Sequence, residues 1–372
     1  MAGARHPIVE IESLAEFDQH LATTSSLHNW VVQSVDLRRR SLALSKVTVA
    51  GAIFLGCHMP RALEDDLTNR GAFVFPQLPH LRFNPYRAAL YTANDLYDAP
   101  SYAATTDGQV YAWYKAQGAV PALPSSLAMS LHDQAIGNAL DDLLATLDAR
   151  HLVGVMGGHA TRRGDPAYRL AAKLGAELAI RGFTVVTGGG PGAMEAANLG
   201  ARFGASPENL DGAIDRLTAV PDYAPDIAAW AKLGLEVCAT APVALTLSIP
   251  TWFYGHEPPN VFATHIAKYF SNALREDRLL TRCKGGLIVL PGAAGTVQEV
   301  FQCATRAYYT PESSHPTPIV LLGRDYWTNH LPAWPLLRSL GEGRAMAAHI
   351  HLVDSPAEAV KVLGNEVLPT AG

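Results

Sequence analysis

The chain has 372 residues, 48% hydrophobic and 17% charged, and carries a net charge of −5 from 29 basic and 34 acidic residues. That length accommodates two domains with large buried cores, and the composition excludes a disordered chain. The acidic balance, with Arg38-Arg39-Arg40 as its longest basic run, argues against polymeric nucleic acid as a partner. The four cysteines, Cys57, Cys238, Cys283 and Cys303, lack CxxC spacing and read as reduced thiols, mostly buried. There is no signal-peptide pattern, and no apolar run approaches the roughly 20 residues needed to cross a bilayer. The expectation is a cytoplasmic protein with no membrane partner.

In chain order, residues 1–120 contain proline-punctuated aromatic stretches such as Phe73-Val74-Phe75-Pro76 and Phe83-Asn84-Pro85-Tyr86, without a βαβ rhythm or an internal repeat. They are expected to form a separate N-terminal domain of unassigned role. Leu131 to Leu147 reads as an amphipathic helix joining it to a second domain, residues 121–372. There, short apolar runs alternate with helical patterns, the form of a doubly wound α/β fold, Rossmann-like, with a parallel sheet. The expected strands are Leu152 to Met156, Phe183 to Val186, Val243 to Ile249, Leu287 to Leu290, Ile319 to Leu322 and Ile350 to Val353, each apolar on both faces. Ala205 to Leu233, rich in Asp, Pro and Ala, reads as an insertion able to cover a site or an interface. Because both glycine-rich loops lie after residue 120, a chain starting near residue 121 is expected to keep ligand binding.

Two strand-loop-helix junctions carry the chemistry. The second expected strand runs into Gly188-Gly189-Gly190-Pro191-Gly192, with Met194 opening the next helix, and such a junction presents backbone N–H groups and a helix dipole to an anion. A tight turn would use the same glycines, and the dinucleotide fingerprint G-x-G-x-x-G is not met. The strand at Leu287 to Leu290 runs into Pro291-Gly292-Ala293-Ala294-Gly295-Thr296, followed by Glu299. Thr296-x-x-Glu299 is equally the pattern of a helix capping box. Two such loops in one sheet meet at the carboxyl ends of the strands, where open α/β sheets bind ligands. Gly157-Gly158-His159 leaves the first strand toward the same place, and Trp252 and Phe253, within Ser248 to Asn260, are candidates to stack on a base. No metal-ligand spacing and no pyridoxal-lysine context occurs, so no metal and no cofactor is expected.

Together the two loops resemble the signature of the LOG family, cytokinin riboside 5′-monophosphate phosphoribohydrolases and related nucleotide nucleosidases often labelled lysine decarboxylases. The family pattern is G-G-G-x-x-G-x-M followed by P-G-G-x-G-T-x-x-E, and the resemblance covers roughly residues 130–365. It implies hydrolysis of the N-glycosidic bond of a nucleoside 5′-monophosphate, with Glu299 catalytic, the glycine loops holding the nucleotide, and a homo-oligomer of at least two chains. It also implies a catalytic arginine on the helix before the second loop. Ile266, Tyr269, Phe270, Ala273 and Leu274 outline that helix's apolar face, whose phase slips after Leu274. The family spacing falls on Glu276, between Arg275 and Arg278; Arg275 is taken first and Arg278 kept as the alternative. Two departures stand out: the fourth glycine of the first loop comes one residue early, and Ala293 replaces a glycine, at a cost if that position needs φ > 0. A protein that binds a nucleotide or cofactor without turnover, as sensor or carrier, is the competing reading.

Overall fold

The computed structural model describes residues 9–241, 244–253, 257–311 and 314–367. The chain divides into two compact units: one is the chain up to Ala89 with Gln117–Ala139, the other Leu90–Ala116 with the chain from Leu140 onward.

The first unit runs β1 (Val9–Ile11), α1 (Leu14–Leu21), β2 (Trp30–Gln33), α2 (Ser41–Leu44), β3 (Ile53–Leu55), α3 (Arg61–Asn69) and β4 (Phe73–Phe75). Its four strands are parallel and lie in chain order. A βαβ rhythm and a structural repeat are therefore present where the sequence reading found neither. Val31 pairs with Ile53, and Ile53 with Phe73. Two residues ahead of each stands a left-handed residue: Asn29 (φ 64°), Gly51 (φ 79°) and Gly71 (φ 88°). Glycine and asparagine tolerate that conformation, so the repeat is written in backbone dihedrals rather than in side-chain identity. Ile11, Val32 and Phe54 turn inward against Phe17, Leu44, Leu63 and Leu67. Strands of three or four residues bury too few alternate positions for periodicity to register.

The second unit adds α4 (Ala93–Leu96), α5 (Thr106–Ala116) and the end of α6 (Leu123–Ala145) to β5 (Leu152–Met156), α7 (Pro166–Ile180), β6 (Thr184–Thr187), α8 (Ala193–Arg202), α9 (Leu210–Leu217), α10 (Ile227–Cys238), β7 (Leu247–Ser248), β8 (His265–Ile266), α11 (Asn272–Arg282), β9 (Gly286–Val289), α12 (Ala294–Tyr308), β10 (Ile319–Leu322), α13 (Ala333–Gly341), β11 (Ile350–Val353) and α14 (Pro356–Val367). Its seven strands are parallel in the order β11-β10-β9-β5-β6-β7-β8, a doubly wound α/β sheet of Rossmann-like form. The strand expected over Val243 to Ile249 is limited to Leu247–Ser248, and Val243 lies outside the described residues. The stretch expected to be an insertion forms α9 and the start of α10.

The boundary expected at residue 120 does not match the observed division, because residues 90–116 pack with the large sheet. Tyr91 forms an antiparallel bridge with Ile266 of β8. Asp107 on α5 holds Lys268 at 2.5 Å, with both side chains about 1% exposed. The same carboxylate accepts from Trp252 Nε1 at 3.0 Å and from the Tyr102 hydroxyl at 2.7 Å. Partners 161 residues apart leave no local signal.

Removing one member of a buried ion pair strands the other charge, so Asp107→Ala is expected to cost about 3–5 kcal/mol in urea unfolding. Asp107→Ala combined with Lys268→Met should recover much of that loss. For the same reason a chain starting at residue 121 is expected not to fold, the opposite of what the position of the glycine loops alone suggests.

Candidate functional site

The second unit's chain visits β5, β6, β7 and β8 in one direction and then returns to place β9 on the other side of β5. The loops leaving β5 and β9 therefore diverge at a topological switch point, where such sheets form ligand crevices. Gly158 N–H donates to the Pro291 carbonyl at 3.0 Å and clips the two loops together. A cavity of about 630 Å³ opens there, lined by Gly157, Gly158, Gly188, Met194, Glu257, Arg275, Glu276, Glu299, Tyr326 and the loop from Pro291 to Thr296.

The second glycine-rich loop is the open one. Pro291, Ala293, Ala294 and Gly295 are exposed, and α12 begins after Ala293 with no side chain capping it. Thr296 thus lies in the helix's first turn and not at its N-cap. The capping box suggested by Thr296-x-x-Glu299 does not form. The first-turn N–H groups have no intrahelical acceptors, so the positive end of the α12 dipole faces the cavity. Gly292 is required for close approach: a Cβ there would lie 2.2 Å from Thr296 Oγ1 and 3.0 Å from Gly158 N. Ala293 sits at φ −96°, outside the left-handed region, so the cost expected if that position needed φ > 0 does not arise. The Tyr326 hydroxyl, from the segment after β10, donates to the Gly292 carbonyl at 2.7 Å and braces the loop.

The first glycine-rich loop has the same sequence form and a different role. Gly188 through Gly192 are buried. Gly189 (φ 80°) donates to Thr187 Oγ1 at 3.0 Å and accepts from Asn260 N at 2.8 Å. A Cβ on Gly192 (φ 72°) would stand 2.6 Å from the Gly158 carbonyl oxygen. These glycines serve packing, while Gly188 and Met194 reach the cavity. Glu195, in the first turn of α8, is buried and paired with Arg163 at 2.7 Å. Arg163 Nη1 in turn donates to the carbonyls of Val220 and Trp230, tying α10 and the segment before it to the loop. The second loop is thus open to the cavity, whereas the first is buried and reaches it at Gly188 and Met194.

The arginine helix α11 starts at Asn272, capped by the Ser271 side chain. Ile266 belongs to β8, and Tyr269 and Phe270 precede the helix, so the apparent phase slip joined a strand to a helix. The true buried face is Arg275, Glu276, Leu279 and Leu280, while Leu274 is exposed. Arg275 Nη1 lies 3.2 Å from Glu276 Oε1 and 3.6 Å from Glu299 Oε1. Arg278 points elsewhere and pairs with Asp141 at 2.5 Å, as does Arg282. Of the two arginines kept open, Arg275 alone lines the cavity. Burial pushes Glu299 up to about 8, with the Glu276 carboxylate adding to the rise and Arg275 opposing it. Burial likewise raises Glu276, against the pull of Arg275.

His159 at the rim pairs with Glu257, Nδ1 to Oε1, at 3.2 Å. Trp252 is not a base platform: it is buried, stacked on Phe270 at 4.6 Å, and Phe253 is exposed. Glu276 and Tyr326 were missed by the sequence reading. Glu276 carried a signal all the same, since the family spacing fell on it.

Two family models match the chain: one described as the SLOG cluster4 family over residues 150–206, and one described as possible lysine decarboxylase over residues 238–363. These matches support the LOG/SLOG superfamily. The first contains the buried glycine loop and the second the open loop, Arg275 and Glu299. No curated protein matches the chain. Solved structures of similar fold include the molybdenum cofactor carrier protein of Chlamydomonas reinhardtii, 18% identical with a TM-score of 0.37, covering 58% of this chain and 97% of that one. Another is the molybdenum cofactor binding protein of Rippkaea orientalis, 18% identical with a TM-score of 0.35, covering 57% and 95%. Among the described residues no helix is long and apolar enough to cross a membrane.

Because folding raises Glu299 from 4.5 to about 8, the folded chain keeps a proton that the unfolded chain releases across that range. Stability contributed by this residue is therefore lost progressively as pH climbs through that window. Glu299→Gln stays neutral throughout. Its stability relative to the unmodified chain is expected to rise between those pH values and level off above them in thermal or urea melts; parallel curves would mean that Glu299 is ionised in the folded state.

Proposed function

We propose that the chain hydrolyses the N-glycosidic bond of a nucleoside 5′-monophosphate, yielding the free base and ribose 5-phosphate. The observation carrying this reading is the joining, in one cavity, of an uncapped and exposed helix N-terminus with the buried Arg275–Glu299 pair. The first is suited to a dianionic phosphate. The second would offer a carboxyl and a guanidinium to the sugar of such a ligand.

Glu299 follows Ala294 on the same helix, roughly 7 Å further along its axis at 1.5 Å per residue. A phosphate held at the loop from Gly292 to Thr296 would therefore bring the ribose over Glu299. Breaking the C1′–N bond builds positive charge at C1′, which a carboxylate beside the sugar stabilises, and the same group can orient the attacking water. Arg275 would hold phosphate or ribose oxygens, so that binding energy far from C1′ serves alignment at C1′. Glu257, linked to His159 at the rim, would meet the ribose hydroxyls or the base of such a ligand.

Assay of base release across a panel of nucleosides and their 5′-monophosphates tests the proposal. Monophosphates are expected to be preferred by several kcal/mol, since charge-assisted hydrogen bonds contribute about 1.5–3 kcal/mol each. Glu299→Gln is expected to lower turnover at least roughly a hundredfold while leaving monophosphate binding in place. Tight binding of monophosphates without base release from the unmodified chain would replace the hydrolase reading with that of a carrier or sensor.

A further inference from the structure

Arg275 faces two buried carboxyl groups, and a single guanidinium can balance only one of them. Arg275, Glu276 and Glu299 are each less than a tenth exposed. With both acids ionised the cluster would hold a net negative charge in a poorly solvated place, and taking up one proton restores neutrality. Arg275 is nearer to Glu276, at 3.2 Å, than to Glu299, at 3.6 Å. The ionised form therefore belongs on Glu276 and the proton on Glu299. Among the described residues, the other groups that act on Glu299 do not reverse this. Glu257 adds a further negative charge from the opposite loop, and Cys303, one turn along α12, keeps its proton because burial pushes the thiol well up.

We propose that Glu276 is a positioning residue that keeps the Glu299 carboxyl protonated until substrate is bound, so that Glu299 acts as the proton donor to the departing base. This rests on the hydrolase reading above. The C1′–N bond breaks with its electron pair passing to the base nitrogen while the Glu299 proton moves to the base. The carboxylate left behind faces the cationic C1′ and takes a proton from the water that attacks it, which restores the acid. One water is consumed, and base and ribose 5-phosphate are released. Two carboxyls sharing a single proton titrate as a pair, so removing the charge of one shifts the titration of the other. Glu276 stands where the family spacing leads one to seek an arginine; at that position this chain holds an acid that governs a proton.

The test uses the full chain labelled with ¹³C at glutamate carboxyls, in which the Glu299 resonance is the one absent from Glu299→Gln. Glu276→Gln is expected to move the Glu299 titration to lower pH, and the alkaline fall of kcat for base release should move with it. Glu276→Asp, which keeps the charge, should restore both toward the original and guards against a general loss of structure. With nicotinamide mononucleotide, whose base departs without gaining a proton, the alkaline fall is expected to be absent. An unmoved Glu299 titration in Glu276→Gln overturns the role given to Glu276 even where base is released. Failure of the unmodified chain to release base from any monophosphate overturns the hydrolase reading and the donor role together, and is told apart by the assay itself.

Discussion

Strands β5 and β9 run side by side although everything from Gly157 to Gly285 lies between them in the chain, and the loops that leave them are clipped by the Gly158–Pro291 backbone hydrogen bond. That adjacency creates the crevice. It brings the Gly157-Gly158 turn against Gly292, where a side chain would have no room, and leaves the first turn of α12 facing outward. It also sets α11 beside α12, so that Arg275 from one meets Glu299 from the other. The meeting of Arg275 with Glu299 thus follows from the reversal of strand order.

Among the described residues three groups of buried charge share the second unit, and their stoichiometry separates scaffold from site. Arg163 with Glu195, and Lys268 with Asp107, are one-to-one pairs whose remaining polar atoms meet carbonyls, a tyrosine hydroxyl and an indole N–H. Such pairs, once completed, fix the position of the elements that bear them. They hold the segments around α5 and α10 against the sheet. Arg275 with Glu276 and Glu299 is different: it has one acid too many, borders a cavity, and raises both carboxyls. An unbalanced buried cluster at a cavity wall is how a protein keeps a carboxylic acid neutral near pH 7.

The two glycine-rich loops illustrate how far local pattern carries. Both follow buried strands, both open helices, and both were read as anion sites. In the first, Glu195 of the helix's own first turn is buried against Arg163, and Asn260 donates to the buried carbonyls of Gly189 and Gly190. In the second, the same helix end is bare. A glycine run announces close approach of backbone to something, and tertiary contacts decide whether that something is protein or ligand. The T-x-x-E pattern behaved alike, being compatible with a cap until α12 was seen to begin at Ala294.

By itself the sequence determined the doubly wound class of the second unit, most of its strands and the position of both loops, because continuous apolar runs and strand-loop-helix junctions are local patterns of a parallel sheet; the candidacy of Glu299 and Arg275 comes from the resemblance of those loops to the LOG family. It did not reveal the parallel sheet of the first unit, whose three- and four-residue strands are organised by left-handed residues and not by hydrophobic period. It joined β8 to α11 into one helix because both contribute apolar residues. Only the tertiary structure separated Arg275 from Arg278, gave Asp107 to Lys268 across the chain, and set Glu276 beside Glu299. These are properties of distance and burial between residues remote in sequence, and the energy of a charge depends on what surrounds it in space, not on which residues precede and follow it.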